Sequence, residues 1–190
     1  MVKLGAVLKP PNFSFSKQDA VKSGRFVLYF ILVYLAASLL FDALFPLKAL
    51  ELFIANNVLS FLQSAGYAGT VSIAGAAVIS LQAGPSIEIS ELCTGRMELL
   101  IITSAIIAST GIGWRKRLFG VVAAGLATVA FNYVRIIVTI MLILGTGDLA
   151  VIDFAHNVLF RAFLFVTIAG LYVAWFYWAV SREAALRKAV

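Results

Sequence analysis

The sequence predicts an all-α polytopic membrane protein, on three observations. Of its 190 residues, 62% are hydrophobic and 13% charged, with a mean hydropathy of +1.01. An ordinary soluble domain carries about 25% charged residues; apolar surface in this excess needs a bilayer to solvate it. Second, apolar stretches long enough to cross hydrocarbon recur along the chain. Third, eleven of the fifteen basic residues flank those stretches in three clusters: Lys3, Lys9, Lys17, Lys22 and Arg25; Arg115, Lys116 and Arg117; Arg182, Arg187 and Lys188. Such clusters mark cytoplasmic loops. The net charge of +6 therefore belongs to membrane topology. No basic face carries interleaved aromatics for base stacking, so nucleic acid is not an expected partner.

The chain reads as a single membrane-embedded domain over residues 1–190. Residues 1–25 are polar and basic, contain Pro10 and Pro11, and read as a cytoplasmic lead. The first span runs from Phe26 to about Leu47, with Asp42 near its far end. It is too long for a signal-peptide core, so it is expected to be retained. In residues 49–66, Asn56, Ser60 and Gln63 form a polar stripe at helical spacing, which predicts an amphipathic helix lying in the interface. Residues 70–91 change period. Val71/Ile73 and Ile87/Ile89 alternate with small or polar residues, and Gly75 and Gly84-Pro85 punctuate the run. This predicts a small β-meander of two or three strands, placed outside the hydrocarbon because open sheet edges are not tolerated against lipid. Three further spans follow, Leu92–Gly113, Leu118–Leu144 and Val151–Val180, with Gly145-Thr146-Gly147-Asp148 as a turn between the last two.

The expected architecture is thus about four transmembrane helices, an interfacial helix and an extracytoplasmic β-meander. With the N-terminus inside and residues 49–66 not crossing, all three basic clusters fall on the cytoplasmic side, together with both termini. If residues 49–66 crossed, the second and third clusters would lie outside, against the positive-inside tendency. The outward segments then hold Glu51, Glu88, Glu91, Asp148 and Asp153 against Lys48 alone.

In this topology three reactive side chains from three helices meet near the outer face. Cys93, the one cysteine, opens the second span, where a helix N-terminus favours negative charge. It can form no intramolecular disulfide. Arg135 lies nine residues before Leu144, about 13 Å along the helix. His156, the one histidine, sits near the start of the last span. A charge inside a span costs at least about 2.5–3.5 kcal/mol, so Arg135 demands an explanation. It continues a stripe of Thr128, Asn132, Arg135 and Thr139 that has to face the bundle. The structural alternatives are a small buried thiol for Cys93, a buried salt bridge from Arg135 to Glu98 or Asp153, and a satisfied interfacial imidazole for His156. Asp153 is spaced to accept a ring N–H from His156, Arg161 is a rival cation, and Arg96 and Glu98 read as a supporting pair near the mouth.

The set suits nucleophilic acyl transfer: a thiolate attacks a carbonyl, an acid/base moves the proton, and a cation stabilises the oxyanion. One cysteine and one histidine are too few for a zinc site, and no metal or cofactor is expected. The chain has no GxSxG, HExxH or phosphate-binding loop. A competing reading is a small transporter or channel subunit with Arg135 as an intramembrane anion-binding group; a third is a non-catalytic assembly subunit. A transporter has no need of a thiol at a helix mouth.

The segments ISLQAGPSIEISELCTG, FNYVRI and AHN, in that order across roughly residues 70–165, resemble the exosortase/archaeosortase family of membrane cysteine transpeptidases. There a β-like outer segment leads into a Cys-Ser/Thr-Gly motif, an arginine follows an asparagine in the next helix, and a histidine or arginine completes the set. The matching positions are Cys93 with Thr94 and Gly95, Asn132 with Arg135, and His156, with Arg161 as the alternative. Cys93 would be the nucleophile, His156 the acid/base and Arg135 the stabilising cation, supported by Asn132. The resemblance implies cleavage of C-terminal sorting signals on exported proteins through a thioester, with transfer of the new C-terminus to an acceptor such as a membrane lipid. Those substrates would carry a short motif, a transmembrane helix and a basic tail. The chain departs from the family pattern in Arg96, where an apolar residue is usual, and in lacking extra N-terminal spans. The CTG form is nearer the archaeal branch.

Overall fold

The computed structural model describes residues 17–188 except 83, 147, 155–157 and 159; at 17, 149, 152, 153, 161 and 182–188 it describes the backbone alone. In chain order the elements are α1 (Lys17–Leu44), α2 (Leu47–Ser64), β1 (Gly69–Ala74), β2 (Ala76–Leu81), β3 (Ser86–Ile89), a 3-10 turn (Glu91–Cys93), α3 (Arg96–Ala108), α4 (Trp114–Thr146), α5 (Leu149–Phe154) and α6 (Phe160–Lys188). The protein is mostly helical, as its composition predicts, with one small sheet.

That sheet is the expected meander, antiparallel in the order β1-β2-β3. Register puts Val71, Ile79 and Ile87 in one cross-strand row, and Ile73 and Ile89 both opposite Ala77. The alternation therefore builds one apolar face. The helix α2 covers it: Ile54, Ala55, Val58, Leu59 and Leu62 pack with Ala77, Ile79, Leu81 and Ile89, and Ile136 and Ile140 of α4 close the cluster. The apolar face that the sequence suggests for the membrane interface is thus buried on the sheet. The stripe opposite is exposed, and its polar groups bond back to their own helix: Asn56 Nδ2 donates to the Leu52 carbonyl and Ser60 Oγ to that of Asn56.

Among the described residues three helices are long and apolar enough to cross a membrane: α1, α4 and α6. The expected span Leu92–Gly113 is different. Its first residues are spent on the 3-10 turn and a glycine N-cap, and the helix ends at Ala108, leaving 13 residues. That is about 20 Å, short of the roughly 30 Å of hydrocarbon. The helix α3 instead packs among α1, α4 and α6. Arg117 marks its end, donating from Nε to the Ile112 carbonyl and from NH1 to that of Ile107, both at 2.9 Å. Lys116 Nζ donates to the Ala179 carbonyl at 3.0 Å. Cations are unfavourable at a helix N-terminus such as that of α4; here they are offset by carbonyls from two neighbouring helices. Within the expected span Val151–Val180 the described elements are α5, to Phe154, and α6, from Phe160.

The helices alternate in direction. Arg96, at the start of α3, contacts Asp42 at the end of α1, while Trp175 of α6 sits against Gly120 near the start of α4. The sheet lies at one end of the bundle, and Lys22, Arg25 and the 115–117 cluster lie toward the other. At that far end a second core joins Ile102 and Ile106 of α3, Ala124 of α4, and Trp175 and Ala179 of α6.

Candidate active site

The residues Ser90–Arg96 form the junction between sheet and bundle. Cys93 does not open α3, as the sequence suggests. It closes the 3-10 turn, and two residues later Gly95 is the N-cap of α3 at φ 71°, ψ 9°. A left-handed backbone favours glycine, and space demands it too: a Cβ on Gly95 would lie 2.9 Å from Asn132 Cγ. The motif glycine thus lets α4 approach the cysteine turn closely.

Three successive carbonyls of this turn are each held by a side chain. The Glu91 carbonyl accepts from Thr94 Oγ1 at 2.7 Å, and also from the Thr94 amide. The Leu92 carbonyl accepts from an Arg135 terminal nitrogen at 2.7 Å. The Cys93 carbonyl accepts from Asn132 Nδ2 at 2.8 Å. The Thr94 hydroxyl in turn accepts from the Arg96 amide at 3.3 Å. Irregular backbone in apolar surroundings needs its polar groups satisfied, and the two polar residues of α4 do this. Thr128, Asn132 and Arg135 are buried, so the stripe does face the bundle interior. Thr128 Oγ1 and Thr139 Oγ1 bond to carbonyls four residues back in α4. Among the described residues Asn132 Oδ1 is buried with no donor.

Cys93 is half-buried, and its Sγ lies 3.7 Å from Ser90 Oγ. Sequence reading missed Ser90; the signal available was its place three residues before the cysteine, which a 3-10 turn brings together. The amides of Cys93 and Thr94 are already engaged by the Ser90 and Glu91 carbonyls.

Arg96 departs from expectation. Its partners are Asp42 of α1 at 2.6 Å and Glu91 at 3.2 Å, in place of Glu98. Among the described residues Arg135 forms no ion pair; the interaction it makes is with the backbone of the cysteine turn. The structure therefore brings together Cys93, Thr94, Gly95, Asn132 and Arg135. Asp153 falls in α5 and Arg161 in α6, but their side chains, and His156 altogether, lie outside the described residues.

No curated protein and no solved structure matches this chain in sequence or fold search. The transmembrane exosortase family matches it over residues 13–174, a stretch that holds the cysteine turn and both of its α4 partners, and the chain is a membrane protein of the transmembrane exosortase family.

Proposed function

We propose that the protein is a cysteine transpeptidase that cleaves C-terminal sorting signals from exported proteins. Cys93 is the nucleophile. Its thiolate attacks the scissile amide carbonyl, forming a C–S bond and an oxyanion. Collapse breaks the C–N bond, and the departing amine takes a proton from the general acid. An acceptor then loses its proton to the same group, attacks the thioester and releases the thiolate. His156 is assigned that acid/base role by its match to the family motif, with Asp153 orienting it and Arg161 the rival third residue. A lipid headgroup bearing an amine or hydroxyl is the proposed acceptor.

The observation that carries this reading is the grip of Arg135 and Asn132 on the Leu92 and Cys93 carbonyls. It places the one cation of the α4 stripe against the nucleophile's own turn. The amides of Cys93 and Thr94 are engaged elsewhere, so neither is free to receive an oxyanion. A guanidinium has five N–H donors, and one of them already lies at Leu92, which favours Arg135 as the stabilising group. A transporter would keep such a cation for its passing anion; here it is bound to backbone.

The proposed topology has both termini in the cytoplasm of a multi-pass plasma-membrane protein, α3 as a short fourth passage within the bundle, and the α2–sheet unit outside. The test of function is co-expression with exported proteins that end in a short motif, a membrane helix and a basic tail. Wild type should convert them to a shortened, acceptor-linked form, and Cys93→Ala should leave them full length. Processing by the Cys93→Ala protein would reject the assignment.

A further inference from the structure

Arg96 is the most heavily engaged cation among the described residues. One terminal nitrogen lies 2.6 Å from Asp42 Oδ1 and donates to Ser38 Oγ at 3.3 Å. The other donates to Glu91 Oε1 at 3.2 Å, and Cζ stands 5.9 Å from the centroid of the Phe41 ring. Its side chain is 13% exposed, while those of Asp42 and Glu91 are about half exposed. Nε is buried without an acceptor, so the two terminal nitrogens set the orientation of the group.

Ser38, Phe41 and Asp42 share one face of α1, at i, i+3 and i+4. No residue of that helix's most apolar 18-residue stretch is buried, and it packs against α3. Two oddities of the sequence, an acid near the end of the first span and a cation three residues after the cysteine, are thereby partners. The pair is partly exposed, so its net stabilisation is small, and ion pairs of this kind are weak evidence for a stability role. Its location is more telling. Arg96 joins α1 to Glu91, the first residue of the cysteine turn, whose next two carbonyls are held from α4.

We infer that Arg96 is a positioning residue for the nucleophile: through Asp42 and Glu91 it braces the Cys93 turn against α1, while Asn132 and Arg135 hold it to α4. The inference rests on Cys93 being the nucleophile. Lysine keeps the charge but cannot span two carboxylates with a planar fork, so Arg96→Lys should fall between wild type and Arg96→Gln. Asp42→Asn removes the ionic part of the α1 anchor and leaves the Ser38, Phe41 and Glu91 contacts.

The test uses full-length protein in membranes, with two readouts. The first is the alkylation rate of Cys93, the one thiol, by the neutral reagent N-ethylmaleimide; it needs no substrate. The second is kcat and KM for a tailed substrate. Arg96→Gln and Asp42→Asn should each change the alkylation rate several-fold. Misplacing a reacting group by about 1 Å costs on the order of 10²-fold, so kcat should fall by about 10- to 100-fold at near-constant KM. The double variant should be little worse than Arg96→Gln, because both changes break one linkage. If Arg96→Gln does not accumulate, Asp42→Asn decides. Unchanged alkylation and kcat in a folded variant, or a loss confined to thermal stability, overturns the inference. Processing by Cys93→Ala would instead overturn the enzyme reading, while the alkylation arm would still report on the brace.

Discussion

Replacing Gly95 by alanine tests the close approach of α4 to the cysteine turn. Two costs arise from the structure. A left-handed residue with a Cβ costs about 1–2 kcal/mol. The new Cβ would also stand 2.9 Å from Asn132 Cγ, 3.1 Å from Nδ2 and 3.2 Å from Cβ. Asn132 Cβ is fixed to the α4 backbone, so rotation of the amide alone does not clear the contact. Either the helices separate, or Asn132 swings away and its 2.8 Å bond to the Cys93 carbonyl is lost. A lost bond costs about 0.5–1.5 kcal/mol, and a carbonyl left buried without a donor about 1–3 kcal/mol. With the backbone term, the total is roughly 2–5 kcal/mol. If about 3 kcal/mol of that falls on the geometry of attack, processing drops on the order of 10²-fold. The assay is cleavage of a tailed substrate in membranes, read beside Cys93 alkylation. A cycle with Asn132→Ala separates the causes: Asn132→Ala alone forfeits the carbonyl bond, and in the Gly95→Ala background it removes the two closest contacts, to Cγ and Nδ2, leaving the one to Cβ. The double variant should then be no worse than Gly95→Ala. Near-normal processing by Gly95→Ala, or strictly additive losses in the cycle, would refute this account.

Arg135→Lys keeps a cation that can reach the Leu92 carbonyl but lacks the further donors proposed for the oxyanion. Turnover should drop by about 10²–10³-fold, the usual cost of one such donor, while the protein accumulates and substrate still co-purifies; normal processing would return Arg135 to a purely structural role. Gly120→Ala would drive a Cβ into the Trp175 indole, whose Nε1 donates to the Lys116 carbonyl at 3.0 Å. Overpacking of this kind costs about 1–3 kcal/mol, measurable as a lower unfolding midpoint in detergent, and an unchanged midpoint would show that the contact relaxes freely. For topology, single cysteines placed at Gly84 and at Lys116 in a Cys93→Ala background should respectively react with and resist an impermeant thiol reagent applied outside cells. The reverse pattern would invert the proposed orientation.

Where periodicity determines structure, the sequence was readable. The meander could be located because Val71/Ile73 and Ile87/Ile89 alternate with small or polar residues, and the α4 stripe because Thr128, Asn132, Arg135 and Thr139 repeat at helical spacing. What periodicity does not encode is the partner of an apolar face. The pattern of α2 is the same whether its apolar side meets lipid headgroups or a sheet, and only tertiary structure shows the sheet. Nor does an apolar run reveal the hydrogen-bonding pattern within it. The stretch from Leu92 reads as uninterrupted helix, yet the left-handed conformation at Gly95 separates a 3-10 turn from α3. The partners of Arg96 were hidden for another reason: Ser38 is 58 residues distant in sequence, whereas Glu98, the expected partner, is only two residues away.

The polar residues of α4 have two requirements to meet at once. A turn that departs from helix between apolar elements leaves carbonyls that its own backbone does not satisfy, and in so apolar a bundle each unmet group costs several kcal/mol. Asn132 and Arg135 meet that need at Leu92 and Cys93, so the cost of placing an arginine inside a span is offset by bonds the turn requires. The same bonds keep a many-donor cation within reach of the cysteine turn. Structural and chemical demand therefore converge on the same atoms, and removing Arg135 outright confounds the two. Lysine, which can still serve the carbonyl but not a second acceptor in the same plane, separates them.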